Sequence, residues 1–477
     1  MEQAPQIDAA ELLVLQRRAF EAARPEALDL RADRIRRAIA LLVDHADDLA
    51  AAMSTDFGNR SRDLSMLTDI LPSVNLGKYC LKRFKRWARP ERRAATFPLG
   101  LIGGRAQVRH EPKGVVGVVS PWNFPVGLSF APMIQAFAAG NRVLMKPSEF
   151  TERTSALMAD LIGRFYAPEE AAVVTGGADV AARFTALPFD HLVFTGSTAT
   201  GRKVMEAAAR NLVPVTLELG GKSPVIAGRS ANIARMAERV TIGKLMNAGQ
   251  ICLAPDYMLV PEDREQEVVA AIVDKASAMY PSVLRNGDYT SIVNDRHFER
   301  LKALIEDAAA KGAEIIEVNP GREDFSASNS RKMPLTILRN VNDGMEVMRQ
   351  EIFGPILPVL TCSATADAID YVNAHDRPLG LYCFSEDSAE VEQVLGRTIS
   401  GGVTVNDVIL HIAQDDLPFG GIGPSGMGAY HGPEGFKAFS HARAIYRQPR
   451  WDVAALSGLK PPYGAATRRA LKMLLRK

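Results

Sequence analysis

From residue 115 onward the chain alternates short apolar, largely β-branched runs with longer stretches whose apolar positions recur at helical spacing. The runs VVGVVS (115–120), RVLMK (142–146), AVVTG (172–176), HLVFTG (191–196) and VPVTLELGG (213–221) predict strands. The stretches 127–139, 151–166, 178–185 and 198–210 predict the helices between them. Strand, helix, strand at this spacing predicts α/β structure with a parallel sheet covered on both faces. That is a doubly wound nucleotide-binding architecture, which takes its ligands beyond the carboxyl ends of the strands. Upstream, residues 9–53 read as two surface helices. The basic run LKRFKRWARPERR from 81 reads as a solvated helix face ended at Arg89-Pro90. Beyond 221 a second α/β region is expected. It comprises a helix over 234–248, helices near 264–279 and 295–311, strands at 314–318 and 335–338, and a polar loop over 321–332. Residues 105–110 alternate as a strand does, and 466–477 read as a basic, amphipathic, exposed terminal helix.

Composition narrows the class. At 477 residues the chain is long enough for several domain-sized units. With 57 basic against 55 acidic residues, global charge favours neither nucleic acid nor an acidic partner. Residues 114–141 carry no charge and superficially resemble a membrane span. Pro121, Pro125 and Pro132, with the polar Asn123, Ser129 and Gln135, instead predict a buried strand, a turn and a buried helix. No membrane span is expected, and the amino terminus has no basic-then-apolar signal pattern. The four cysteines, Cys80, Cys252, Cys362 and Cys383, have neither metal-ligand nor disulfide-framework spacing. A reducing, cytoplasmic setting is expected, with no metal.

One cysteine sits oddly. Cys252, in NAGQICLAP, follows Gly249 and precedes a proline at the expected end of a helix. A lone cysteine between Ile251 and Leu253 is ordinarily a small buried hydrophobe. As a nucleophile it would need activation, because an ordinary thiol is only a few per cent thiolate at neutral pH. Glu218 ends an apolar strand, where a desolvated carboxylate has the raised pKa of a general base or is simply a satisfied structural acid. Asn123, held in PWNFP, could donate to an oxyanion or merely shape a turn. The turn from Phe194 to Gly201 could hold a pyrophosphate on backbone N–H groups and a helix N-terminus, although it lacks the usual dinucleotide spacing. Lys146 and Glu149, in KPSE, could grip ribose hydroxyls or cap a helix. EIFGP offers the carboxylate of Glu351 and the ring of Phe353 beside a turn.

The motifs PWNFP, KPSE, FTGS, LELGGKSP, GQICLAP, EIFGPILPV and LPFGGIGPSGMG occur in the order and spacing of the aldehyde dehydrogenase superfamily, which the chain resembles over nearly its whole length. It is most similar to the shorter, class 3-like members. DFGNRS, KRWARPERR, GKLMNAGQICLAPDY, DYTSIVNDRHFERL and AQDDLPFGGIGPSGMGAYHG resemble coniferyl aldehyde dehydrogenases in particular. The resemblance implies that Cys252 is the nucleophile, Glu218 the general base, and Asn123 the oxyanion donor beside the backbone N–H of Cys252. Lys146 and Glu149 would hold the adenosine ribose, and Gly196 and Ser197 would meet the pyrophosphate. Glu351 would hold the nicotinamide ribose with Phe353 beside it, and Trp122, Thr195 and Leu219 would complete the cofactor site. Trp122, His411 and Phe419 are expected at the substrate pocket.

The implied reaction is oxidation of an aldehyde to its acid through a cysteine thiohemiacetal and thioester. NAD is the expected cofactor, because Glu149 would repel a 2′-phosphate, with NADP possible. Coniferyl or another aromatic aldehyde comes first, medium-chain aliphatic aldehydes second. A coenzyme A-acylating enzyme is opposed by Glu218, which favours water. A cysteine hydrolase would need a histidine base, His411 or His431. A non-catalytic binding protein is opposed by the intact Cys252, Glu218 and Asn123. The expected organisation is an NAD-binding domain (1–91 and 111–220), a catalytic domain (221–396), and an oligomerisation arm and return segment (92–110 and 397–440). A tail over 441–477 follows, and the arm is expected to pair with the tail region of a partner subunit in a homodimer.

Overall fold

A computed structural model describes residues 8–475 apart from positions 98, 327, 329 and 457. The ends of the expected N-terminal domain (1–7) and basic tail (476–477) therefore lie outside the described residues.

The first sheet has six strands. Its five parallel members are Val115–Val119, Arg142–Lys146, Ala171–Val173, His191–Gly196 and Val215–Leu219, and Gly426–Met427 adds an antiparallel edge. Val115–Val119 lies in the middle, between Arg142–Lys146 and His191–Gly196. The chain thus winds outward in one direction through the second and third parallel strands and in the other through the fourth and fifth. The carboxyl ends of Val115–Val119 and His191–Gly196 flank the point where strand order reverses, and loops there part to leave a crevice. Both strands are apolar because helices cover the sheet on both faces. Gly127–Ala139, almost wholly buried, is the helix expected from the uncharged run. Among the described residues no helix is long and apolar enough to cross a membrane.

The second sheet has seven strands in the order Glu314–Val318, Leu335–Arg339, Ile356–Cys362, Tyr257–Pro261, Pro224–Ala227, Gly380–Phe384 and Gly402–Val405. All neighbours are parallel except the first pair. Its last strand extends past the expected boundary at 396. The run 213–221 is not one strand into a turn: Val215–Leu219 ends in the first sheet and Pro224–Ala227 starts the second. Gly220 to Ser223 cross between the sheets, so Glu218 stands at the seam.

The amino-terminal region forms three helices, Ala9–Ala22, Leu28–Asp44 and Ala46–Phe57, where two were expected; His45 leaves helical geometry and divides the second. Arg105–Pro112 is a strand, paired antiparallel with Glu91–Arg93 on one side. Its other partner is Ser440–Arg447 of the same chain.

Candidate active site

The helix Ile233–Leu245 ends three residues earlier than expected and tightens into a single 3-10 turn, Met246–Gly249. Asn247, Ala248 and Gly249 all have positive φ (50°, 51° and 74°), which swings the following backbone away from the helix axis. Only glycine fits at 249. A side chain there would be strained by φ and would overlap the Gly354 carbonyl. Gln250 then clamps the turn. Its Nε2 donates to the Asn247 and Ser291 carbonyls (2.9 and 3.1 Å), and its Oε1 accepts from the Val293 N–H (3.0 Å). Cys252 emerges half-buried beyond this clamp.

Cys252 lines a cavity of about 200 Å3 together with Asn123, Glu218, Glu351 and Phe353. Residues separated by more than two hundred positions thus meet around one thiol. The Asn123 side-chain amide donates to the Gln250 carbonyl (3.1 Å), which leaves its second N–H for another acceptor. Glu218 is 2% exposed, and neither of its carboxylate oxygens has a hydrogen-bond partner among the described residues. Burial pushes its pKa well above the usual carboxylate range. The Cys252 thiol is also pushed up, first by burial and then by the negative charges of Glu351 and Glu218. Glu351 sits against Gly220, where a Cβ would overlap its carboxylate, and its pKa is raised to about 8 by burial and by Asp256. Its Oε1 has no partner among the described residues.

A larger cleft of about 990 Å3 opens beside this cavity at the reversal point of the first sheet. Lys146, Glu149, Trp122, Thr195, Gly196 and Ser197 line it. Buried Lys146 donates to the Pro147 carbonyl (2.9 Å) and to Glu149 (3.3 Å), which fixes a carboxylate that is itself 38% exposed at the cleft wall. Ser197 caps the helix Thr198–Ala209, accepting from the Thr200 N–H (3.3 Å), so a helix N-terminus points toward the cleft. Leu219 lines the smaller cavity and packs where a Cβ on Gly201 would stand. The cleft's volume, its helix N-terminus, and the unpaired Glu351 oxygen in the adjoining small cavity suit a dinucleotide.

Trp122 joins the two spaces, its ring 5.3 Å from Phe353 and 5.1 Å from His297. His297 and Arg300 line both spaces, and no role was assigned to them from the sequence. Arg300 donates to the Glu351 carbonyl (3.2 Å) and to that of Ile352, holding the segment that carries Glu351 and Phe353. Burial pushes His297 down to about 4, and its Nδ1 meets Asn294 Oδ1 (2.8 Å). The remaining pocket candidates lie elsewhere. Phe419 is buried in the core cluster against which Cys252, Phe124, Met246 and Ile412 pack, with Tyr430 alongside. His411 does not line either space; its Nδ1 meets Thr404 Oγ1 (2.9 Å) and its ring faces Phe419 at 6.4 Å. His431, 8% exposed, packs on Phe419 and Tyr430.

Comparison with known proteins agrees in detail. The model of the aldehyde dehydrogenase family matches residues 2–445. A probable coniferyl aldehyde dehydrogenase of Caulobacter vibrioides is 51% identical, over 95% of this chain and 94% of its own length. The coniferyl aldehyde dehydrogenase of a Pseudomonas strain is 52% identical, over 94% and 93%. Among solved structures, the substrate-bound state of Staphylococcus aureus AldH superposes with a TM-score of 0.90 at 33% identity, covering 98% of this chain and 99% of that one.

Proposed function

The chain belongs to the aldehyde dehydrogenase family and is an NAD(P)-dependent aldehyde-oxidising enzyme, and from that premise we propose that it converts an aromatic propenal of the coniferyl aldehyde type into its acid at Cys252. The observation that carries the residue assignment is the convergence of Cys252, Asn123, Glu218 and Glu351 on one small cavity at the inner end of the cofactor cleft.

In this reading the Cys252 thiolate attacks the aldehyde carbon. The free N–H of Asn123 and the backbone N–H of Cys252 receive the oxyanion, and one such donor lowers the barrier by about 3–4 kcal/mol. Bound NAD supplies the acceptor for the hydride that leaves the thiohemiacetal. Glu218 removes a proton from water as it attacks the resulting thioester, and the acid leaves with Cys252 restored. The unpartnered state of Glu218 supports this role, since a carboxylate engaged by cations would be too weak a base.

Glu351 would hold the nicotinamide ribose and Lys146 with Glu149 the adenosine ribose. The Glu149 carboxylate favours NAD by repelling a 2′-phosphate. The preference for an aromatic substrate is supported by the two coniferyl-named relatives and by the rings of Trp122 and Phe353 that line the Cys252 cavity. The four free cysteines support a cytoplasmic setting. A homodimer is supported by exposed Phe97, Leu101 and Ile102 between the strands Glu91–Arg93 and Arg105–Pro112.

The test is NAD reduction with coniferyl aldehyde, benzaldehyde and hexanal compared by kcat/KM. At least about a tenfold preference for coniferyl aldehyde over hexanal is expected, because each misfit of an apolar pocket is worth about 1–3 kcal/mol. Equal or better turnover of hexanal would make this a general aliphatic aldehyde enzyme.

A further inference from the structure

A buried ion pair outside both cavities reaches the active site through its backbone. Arg60 and Asp69 are both fully enclosed, their side chains 0% exposed and 2.6 Å apart. Charges of this kind are costly to bury and are seldom the most stable filling for a core. Asp69 sits in the single π-helical turn Met66–Ile70, a rare geometry that tends to mark functional positions. The Arg60 guanidinium lies between the rings of Phe57 and Phe124, 5.1 and 5.2 Å from their centroids.

Three partners of this pair lie in one backbone stretch, residues 123–127. Arg60 Nη1 donates to the Asn123 carbonyl (2.8 Å), 63 residues away in sequence. Its Nη2 donates to Asp69 and to Thr68 Oγ1 (3.1 Å). Asp69 Oδ1 in turn accepts from the backbone N–H groups of Val126 (3.1 Å) and Gly127 (2.9 Å). Asn247 Nδ2, from the strained turn before Cys252, donates to the same Asn123 carbonyl (3.1 Å). The pair therefore grips the backbone at Asn123 and again at Val126 and Gly127, and the Asn123 carbonyl it holds is shared with the turn that carries the nucleophile.

We infer that Arg60 and Asp69 are positioning residues for the oxyanion donor: they fix the Asn123 backbone so that its side-chain N–H points at the reacting oxygen. The inference rests on the assignment of Asn123 as that donor. A guanidinium suits the task because its planar fork serves a carboxylate and a carbonyl at once, whereas an ammonium is a single point charge. A shift of about 1 Å at a catalytic donor typically costs about a hundredfold in rate.

A double-mutant cycle tests it. Asn123→Ala alone is expected to lower kcat about 10²–10³-fold. Arg60→Lys is expected to lower kcat about tenfold to a hundredfold, with the NAD dissociation constant, read by tryptophan fluorescence, within about twofold of the parent. In the Asn123→Ala background Arg60→Lys then changes kcat by less than about twofold, because the donor it positions is gone. Multiplicative losses in the double variant, or an unchanged kcat for Arg60→Lys alone, overturn the inference while leaving Asn123 as the donor. An unchanged kcat for Asn123→Ala overturns the underlying assignment instead. Should Arg60→Lys fail to fold, Asp69→Asn enters the same cycle with the same expected outcomes.

Discussion

At the scale of single residues, the account turns on carboxylates placed where carboxylates are costly. Glu218 is enclosed, unpartnered among the described residues, and shifted well above its ordinary range. Its folded pKa lies above its unfolded value near 4.3, so the native protein holds a proton that the unfolded chain releases. Stability contributed by that proton is complete below about pH 4 and is lost as pH rises toward the folded pKa. Glu218→Gln removes this dependence. Thermal melts of the two proteins are expected to diverge as pH rises above about 4, with the variant increasingly the more stable, and parallel melts would show that Glu218 ionises as readily in the fold as in the unfolded chain. Glu149 provides a second residue-scale prediction. Glu149→Ala should raise kcat/KM for NADP relative to NAD by about tenfold or more, since the repulsive carboxylate is removed; an unchanged ratio in steady-state assays would place cofactor choice elsewhere.

The meeting of these residues was largely legible in sequence because they sit in short motifs at turns. Cys252, Glu218, Asn123, Glu351 and Phe353 do meet at one cavity, and Lys146, Glu149, Gly196 and Ser197 at the adjoining cleft. No role was legible for Arg60, Asp69, His297 or Arg300, although DFGNRS holds Arg60 and DYTSIVNDRHFERL holds His297 and Arg300. Arg60, Asp69 and Arg300 reach backbone groups far away in the chain, and such a partner leaves no spacing to read.

At the scale of elements, the turn Met246–Gly249 decides where the nucleophile goes. Periodicity predicted one helix through 248, because left-handed residues after a helix leave the apolar pattern intact. Gly249→Ala would combine a disfavoured φ of 74° with an overlap at Gly354. It is expected to destabilise the protein by more than about 1 kcal/mol and to lower kcat further than cofactor affinity. Wild-type kcat with normal melting would show that the turn tolerates repacking. The strands missed in sequence, Tyr257–Pro261, Ile356–Cys362, Gly380–Phe384 and Gly402–Val405, are mostly short and apolar, and the first three are buried on both faces. They lack the alternation that marks a half-exposed strand, and nothing local separates them from buried helix. The five parallel strands of the first sheet share that composition, but their regular spacing with helices gave them away.

At the scale of the whole molecule, two sheets meet along the crossing from Gly220 to Ser223, and the Cys252 cavity lies at that seam. The larger cleft opens at the first sheet and the turn before Cys252 leads into the second, so the small cavity draws its lining from both. The segment between Glu91–Arg93 and Arg105–Pro112 exposes Phe97 at 81% and Leu101 at 78%, an apolar patch that a second copy would cover. Light scattering is expected to give twice the 51.8 kDa chain mass. Phe97→Ser with Leu101→Ser should shift that toward the monomer, and a dimer indifferent to both changes would place the interface on another face.

The most direct measurement is rapid mixing of the Glu218→Gln variant with NAD and coniferyl aldehyde, followed by mass analysis of the Cys252 peptide. A burst of reduced cofactor equal to the number of active sites, slow turnover afterwards, and an acyl group on Cys252 are the predicted result. Full steady turnover by Glu218→Gln, with Cys252 unmodified throughout, would contradict the account.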